Sequence, residues 1–215
     1  MEKFKTKTDV AHSWIKSKIL NGEYAPGKKL NPRAIAEQIH LSSVPVREAI
    51  NKLATEGLIR LRPHLGATVQ KIDYEDAIEL RTIRTELECL SVKLSLDHMT
   101  EENRARLEQI LEKSRQAIKE EDYAKFRKLA EQFHIGIFRD SSHQILTKML
   151  LELFERLKLV WAHPWTKERA ERDLAEHYEI LDALGKKNTK AASALLRKHR
   201  KASAEMFKDR IQIED

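Results

Sequence analysis

The ten residues 41–50, Leu-Ser-Ser-Val-Pro-Val-Arg-Glu-Ala-Ile, constrain the fold of this chain more than any other stretch, because they read as the start of a short helix. Ser42 or Ser43 can cap that helix by accepting backbone N–H bonds. Pro45 is tolerated in the first turn, where amides have no intrahelical partner, and Gly57 supplies the stop. The spacing predicts a helix over 44–56. Val46, Ala49, Ile50, Leu53 and Ala54 form one apolar stripe, which leaves Arg47, Asn51 and the serines facing outward. A helix start carrying Ser42, Ser43, Val44 and Arg47 suits phosphate oxygens and guanine edges in the major groove of duplex DNA.

The preceding residues lead into this helix. Val10, Ala11, Trp14, Ile15 and Ile19 recur at helical spacing and predict a first helix over 8–20, closed by Gly22 and Pro26-Gly27. Asn31-Pro32 reads as an N-cap followed by proline at the first helical position. It opens a second helix through Ile39 with Arg33 at its start and Ala34, Ile35, Ala36 and Ile39 as its apolar side. Only the turn at His40, Leu41 and Ser42 separates the two helices, which is the spacing of a helix-turn-helix. After Gly57, short strands over 58–62 and 67–71 flank a turn at 63–66, so a hairpin is predicted. Beside a helix-turn-helix it reads as a wing whose Arg60, Arg62 and His64 can track phosphates or enter a minor groove. A surface hairpin with no partner is the plainer alternative.

From Asp73 onward the pattern is helical, with six helices expected at about 74–98, 100–119, 122–139, 143–162, 167–184 and 189–209. Long amphipathic helices joined by short turns imply an antiparallel bundle. The expected fold is therefore mainly α, with a winged helix-turn-helix over 1–71 followed by an all-α antiparallel six-helix bundle over 72–215.

Charge follows the same division. Residues 1–71 hold 13 Lys and Arg against 6 Asp and Glu, whereas residues 72–215 hold 27 against 28, so the net +6 of the chain belongs to one end. A basic head on a neutral body fits a polyanion partner, although a basic segment can also be just a solvated face. The head has few rings, Phe4, Trp14 and Tyr24, which argues against a single-stranded nucleic acid. The single cysteine, Cys89, excludes an internal disulfide, fits a reducing cytosol and reads as a buried small hydrophobe. Even the apolar stretch 149–161 is broken by Glu152, Glu155, Arg156 and Lys158, and no signal-peptide pattern opens the chain. A cytoplasmic protein without membrane contact is expected.

The first 71 residues resemble the GntR family of bacterial winged-helix transcription regulators. The likeness rests on Pro26-Gly27 through Leu30, on Pro45 to Ile50, on Leu53, on Glu56 to Ile59 and on Gly66 to Val69. The remainder resembles the FCD effector domain of the FadR subfamily. That likeness rests on Glu75-Asp76, Arg84 to Glu88, Phe133-His134, Glu176-His177 through Leu184, and His199, with six helices rather than seven pointing to the VanR-like branch. The resemblance implies a homodimeric regulator, a repressor, that binds a pseudo-palindromic operator and responds to a small carboxylate effector. It puts DNA contacts on Arg33, Ser42, Arg47 and the wing tip from His64 to Gly66, with Ser43 standing where the family commonly has a guanine-reading Arg. Loss of that Arg removes about 1–3 kcal/mol of discrimination at one base pair.

His134, His177 and His199 each lie on an apolar helix face: His134 among Ala130, Phe133 and Ile137, His177 between Leu174 and Leu181, and His199 between Leu195 and Met206. One such histidine reads as a hydrogen-bonded core residue. Three on three helices can converge on a divalent metal such as Zn, Ni or Mn. Metal-binding FCD domains add an Asp four residues before the first histidine, and that position is Ala130 here. Glu131 cannot substitute, because one residue turns a side chain about 100° around the helix. Two readings stay open: a metal site on the three histidines, or a metal-free pocket in which they bind an organic anion directly. Arg84 matches the family's Arg on the first bundle helix and can clamp a carboxylate bidentately, or it can pair with Glu88 four residues on.

A metal-dependent helical-bundle enzyme is the alternative. Glu131 and His134 match the Glu-x-x-His spacing of di-iron bundles, but the second pair such sites need is missing, since Leu174 and Leu196 stand three residues before His177 and His199.

Overall fold

The structure, a computed structural model, describes residues 5–96, 99–159 and 166–211, and within these every side chain but those of Tyr74 and 203–211. The chain divides into two compact units, one from Met1–Ala77 with Phe154–Ala162 and one from Ile78–Leu153 with His163–Asp215.

The first unit opens with α1 (Lys7–Leu20), started by a capping box. The Thr6 hydroxyl accepts from the Asp9 amide at 3.1 Å, and the Asp9 carboxylate accepts from the Thr6 amide at 3.1 Å. Ala11, Ile15 and Ile19 are buried, while Val10 faces solvent and Trp14 packs edge-on to Tyr24, with ring centroids 6.1 Å apart. In α2 (Pro32–Gln38) the Asn31 side chain accepts from the Arg33 and Ala34 amides. His40, in the left-handed region at φ 53°, turns the chain into α3 (Ser43–Thr55).

Val46, Ala49, Ile50 and Leu53 of α3 are all at most 3% exposed and form the centre of this unit's core with α1 and α2. The helix ends in a Schellman motif: Leu58 N–H donates to the Leu53 carbonyl and Gly57 N–H to the Ala54 carbonyl, both at 3.0 Å. Gly57 takes φ +76°, where a Cβ would be strained. One local expectation fails at the other end. Ser42 occupies the N-cap with extended dihedrals, but its side chain makes no capping bond.

The hairpin is part of a three-stranded sheet. Strands β2 (Ile59–Arg62) and β3 (Gly66–Val69) pair with Ile59 opposite Val69 and Arg62 opposite Gly66. A two-residue strand, β1 (Lys29–Leu30), adds to the other side of β3 to give the order β1-β3-β2. The sequence could not show β1, because two residues cannot display an alternation. Its existence depends on β3 arriving beside it to exchange backbone hydrogen bonds.

After the sheet come α4 (Tyr74–Ser95), α5 (Glu101–Lys119), α6 (Tyr123–Phe138), α7 (Gln144–Lys158), α8 (Lys167–Gly185) and α9 (Thr189–Ile211). These six helices, counted among the described residues, agree with the expected pattern to within a few residues at each end. The expected extensions to residue 98 and to residue 162 fall partly outside the described residues. The core of the second unit gathers Phe126, Phe133, Leu107, Leu111, Ile180, Leu184 and Leu196, none more than 1% exposed. At Gly136 a Cβ would lie 2.7 Å from Leu107 Cδ2, so a side chain there would require the Leu107 side chain to shift.

Removing the Leu53 side chain empties the middle of the first unit's core. Leu53→Ala should cost about 2–5 kcal/mol of stability. Val44→Ala, at a side chain 63% exposed, should cost no more than about 0.5 kcal/mol. Urea denaturation of both variants checks this; equal costs would contradict the assigned orientation of α3.

Candidate nucleic-acid face and buried effector site

The first turn of α3 collects Ser42, Ser43, Val44 and Arg47. Ser42, Val44 and Arg47 are exposed and Ser43 is partly so. Arg33 is exposed at the first turn of α2, and the wing tip exposes His64, at φ 59°, and Gly66, at φ +88°. Beside the tip, Lys29, Arg60, Arg62 and Lys71 line a surface groove that contains no carboxylate. The Arg60 guanidinium donates to Gln70 at 3.1 Å, which fixes it along the strand. This unit therefore presents an uncapped helix start, with amides that still lack partners, together with a cationic sheet face. Both features favour phosphate oxygens.

In the second unit the structure brings His134 of α6, His177 of α8 and His199 of α9 together. They are 3%, 1% and 3% exposed, and their donor atoms lie within 4.8 Å of one another. His134 Nε2 and His177 Nε2 are 3.0 Å apart. The His177 ring stacks on Phe133, with centroids 4.8 Å apart. Nδ1 of His134 and Nδ1 of His177 are buried without a hydrogen-bond partner. His199 Nδ1 contacts the Glu176 carboxylate at 2.6 Å. Burial first, and then the positive charge of Arg200 or of neighbouring imidazoles, holds the pKa of each of the three histidines well below its ordinary value. Met206, expected to flank His199, lies outside the described side chains.

Charged groups surround the imidazoles. Arg81, Arg84 and Arg200 are buried. The Glu88 carboxylate accepts from Arg200 Nε at 2.7 Å and from its Nη2 at 2.5 Å, a bidentate pair reaching from α9 to α4. Burial first, and then Arg200, pulls the Arg84 pKa down to about 9. Glu131 acts on Arg84 as one of its charge partners. Asp173 of α8 is 4% exposed, and burial raises its pKa to about 6. Asp173, Glu176 and His199 form a second group of potential donors within 4.8 Å of one another. The space bounded by Glu88, Ser91, His134, Ile137, Phe138 and Leu196 has no room for a water molecule, so a ligand entering there must displace side chains.

The sequence reading missed Asp173, Arg200 and the Glu88–Arg200 pair, and it gave Glu176 no role at the site. For Asp173 a signal existed, since it precedes His177 by four residues and so shares its helix face. For Arg200 there was none, because its partner is more than a hundred residues away in sequence.

Two families match this chain. The family described as "Bacterial regulatory proteins, gntR family" covers residues 7–69, and the FCD domain family covers residues 79–202. The uncharacterized HTH-type transcriptional regulator YdhC of Bacillus subtilis is 33% identical over 84% of this chain and 82% of its own length. The chain belongs to the GntR family. This GntR regulator is also 29% identical to the HTH-type transcriptional repressor RspR of Escherichia coli, over 81% of this chain and 77% of that one. In fold it is similar to the solved structure of Escherichia coli McbR/YncC, with a TM-score of 0.83 over 96% of this chain and 99% of that one at 23% identity. It is a transcription regulator with an FCD domain, consistent with the FadR subfamily, and its relatives are regulators rather than enzymes. Among the described residues, no helix is long and apolar enough to cross a membrane.

The donor set fits a divalent metal. Nitrogens bound at 2.0–2.1 Å in a tetrahedral shell lie about 3.3 Å apart, and the His134–His177 pair is already close to that spacing. Ligand imidazoles must be neutral, as burial keeps these three. Ala130 brings no donor; the carboxylates grouped with His199 are Asp173 and Glu176 of α8.

Neutral buried histidines leave a mark on stability. As pH falls below the ordinary histidine pKa of 6.5, the unfolded chain takes up protons at these positions that the folded chain refuses. Stability therefore drops toward about pH 5. Asp173 opposes one of the three: its raised pKa lets the folded chain keep a proton up to about pH 6 that the unfolded chain has released. The thermal midpoint of chelator-treated protein should fall between pH 7 and about pH 5, and fall less in His199→Asn. A flat profile would contradict three neutral imidazoles.

Proposed function

We propose that this GntR regulator is a cytoplasmic repressor that binds a pseudo-palindromic operator on double-stranded DNA as a homodimer and is modulated by a small carboxylate metabolite in its FCD domain. The observation that carries the DNA half is the first turn of α3, where Ser42, Ser43, Val44 and Arg47 stand at the open N-terminus of a helix whose opposite face is core. Arg47 then reads base edges, Arg33 and Ser42 hold phosphates, and His64 and Gly66 bring the wing to the adjacent groove. The name of the relative RspR supports repression.

Dimerisation is supported by α4. Ile83, Leu90 and Leu94 are 37–41% exposed. Together with the partly exposed Leu87 they follow the i, i+4, i+7, i+11 spacing of a helix stripe that a second copy can cover. A two-fold dimer presents two recognition helices to two half-sites.

For the effector, the supporting observation is the place of Arg84, buried in the same unit as the three histidines, whose guanidinium has the fork geometry to clamp an organic carboxylate bidentately. His134, His177 and His199 hold a divalent metal, Zn, Ni or Mn, which supplies a Lewis-acidic contact for the effector when bound. For regulation, the effector must bind the DNA-competent and DNA-incompetent states with unequal affinity.

Duplexes selected by the parent from a random library provide the test probe. Arg47→Ala should lose specific binding by fluorescence anisotropy at physiological salt while its circular dichroism stays unchanged; retained affinity would refute the placement of the recognition helix. Leu90→Arg should sediment as a monomer, and a stable dimer in that variant would move the interface elsewhere.

A further inference from the structure

Ala130 leaves α6 without the carboxylate that metal-binding FCD domains place at that position, and Ala130 itself is part of the apolar core. One helix over in sequence, α8 repeats the missing pattern. Asp173 lies four residues before His177, as position 130 lies before His134, and Glu176, three residues after Asp173, is grouped with it at His199. Asp173 is 4% exposed and Glu176 15% by side chain, so both carboxylates are turned into the unit rather than solvated. The Glu176 carboxylate engages His199 Nδ1 at 2.6 Å. With Nδ1 occupied, the His199 nitrogen left for a metal shared with His134 and His177 is Nε2. The two donor groups, His134–His177–His199 and Asp173–Glu176–His199, meet at this one imidazole.

We propose that the anionic half of the metal site has moved from α6 to α8: Glu176 is a positioning residue that locks the His199 tautomer through Nδ1, and Asp173 supplies the balancing carboxylate beside it. This rests on the metal reading of the three histidines. It adds that the chain compensates Ala130 within its own sequence. Carboxylate–histidine pairs of this kind orient the ring and raise its basicity as a ligand, and their loss typically weakens metal binding 10–100-fold. Asp173 keeps an ion pair with Arg172, 3.7 Å away, and its buried carboxylate adds negative charge next to His199.

The test uses the full-length protein with Zn or Ni alone, measured by chelator competition. Glu176→Gln and Asp173→Asn should each weaken binding about 10–100-fold, while Glu179→Gln, at an exposed position of the same helix, should bind as the parent does. In the metal-free parent, 15N NMR should show His199 as a single Nδ1–H tautomer, and Glu176→Gln should give a mixture. The decisive variant is Ala130→Asp: placed in the Asp173→Asn background it should restore most of the lost affinity, and placed in the parent it should add little. If the parent binds metal but both α8 variants bind as tightly, the relocation is refuted while the three-histidine site stands. If the parent binds no Zn or Ni at all, the metal reading itself falls, and the relocation falls with it.

Discussion

Placing ionisable groups inside a helical unit is costly, and the organisation of the second unit follows from how that cost is met. An unpaired ion in a low-dielectric interior is destabilising by several kcal/mol. Here α4, α6, α8 and α9 contribute Arg81, Arg84, Glu88, His134, Asp173, His177, His199 and Arg200 to buried positions. Glu88 and Arg200 meet in a bidentate pair, Glu176 takes one nitrogen of His199, and the three histidines stay neutral. An apolar repacking of the same helices would be simpler and about as stable. On the proposed function, this polar interior holds a cation at the imidazoles and an organic anion beside Arg84.

The first unit solves a different problem with little buried charge. Its core is mostly aliphatic, from Ala11, Ile15 and Ile19 through Leu53 to Val69 with Tyr24 among them, and most of its basic residues are exposed, while Lys16 is half-buried between Glu56 and Glu155. Rigidity comes from local devices: the Thr6–Asp9 capping box, the Asn31 cap and the Schellman turn at Gly57. These hold α3 so that its first turn, and not its apolar stripe, meets solvent. Ser42 makes no side-chain cap and its side chain is left exposed at that first turn.

Much of this was legible in the sequence. The apolar stripe of α3, its stop at Gly57, the Asn31-Pro32 start of α2 and all six later helices follow from periodicity and capping, which act over a few residues and leave a local trace. The inward direction of His134, His177 and His199 was legible for the same reason: each shares a face with leucine, phenylalanine or isoleucine neighbours. The family resemblance drew on the same short motifs.

What the sequence by itself determined, then, is which faces are buried and where helices begin and end, because those depend on residues within one or two turns. Only the tertiary structure decided what meets on those faces. Arg200 finds Glu88 across 112 residues, Glu176 finds His199 across 23, and β1 exists only because β3 lies beside it. It also decided that Arg84 shares its interior with Arg81 and Arg200 rather than with Glu88 alone. Helical periodicity reports direction relative to a helix's own axis. Pairing between helices depends on which elements pack together and at what height, and no short stretch of chain records that.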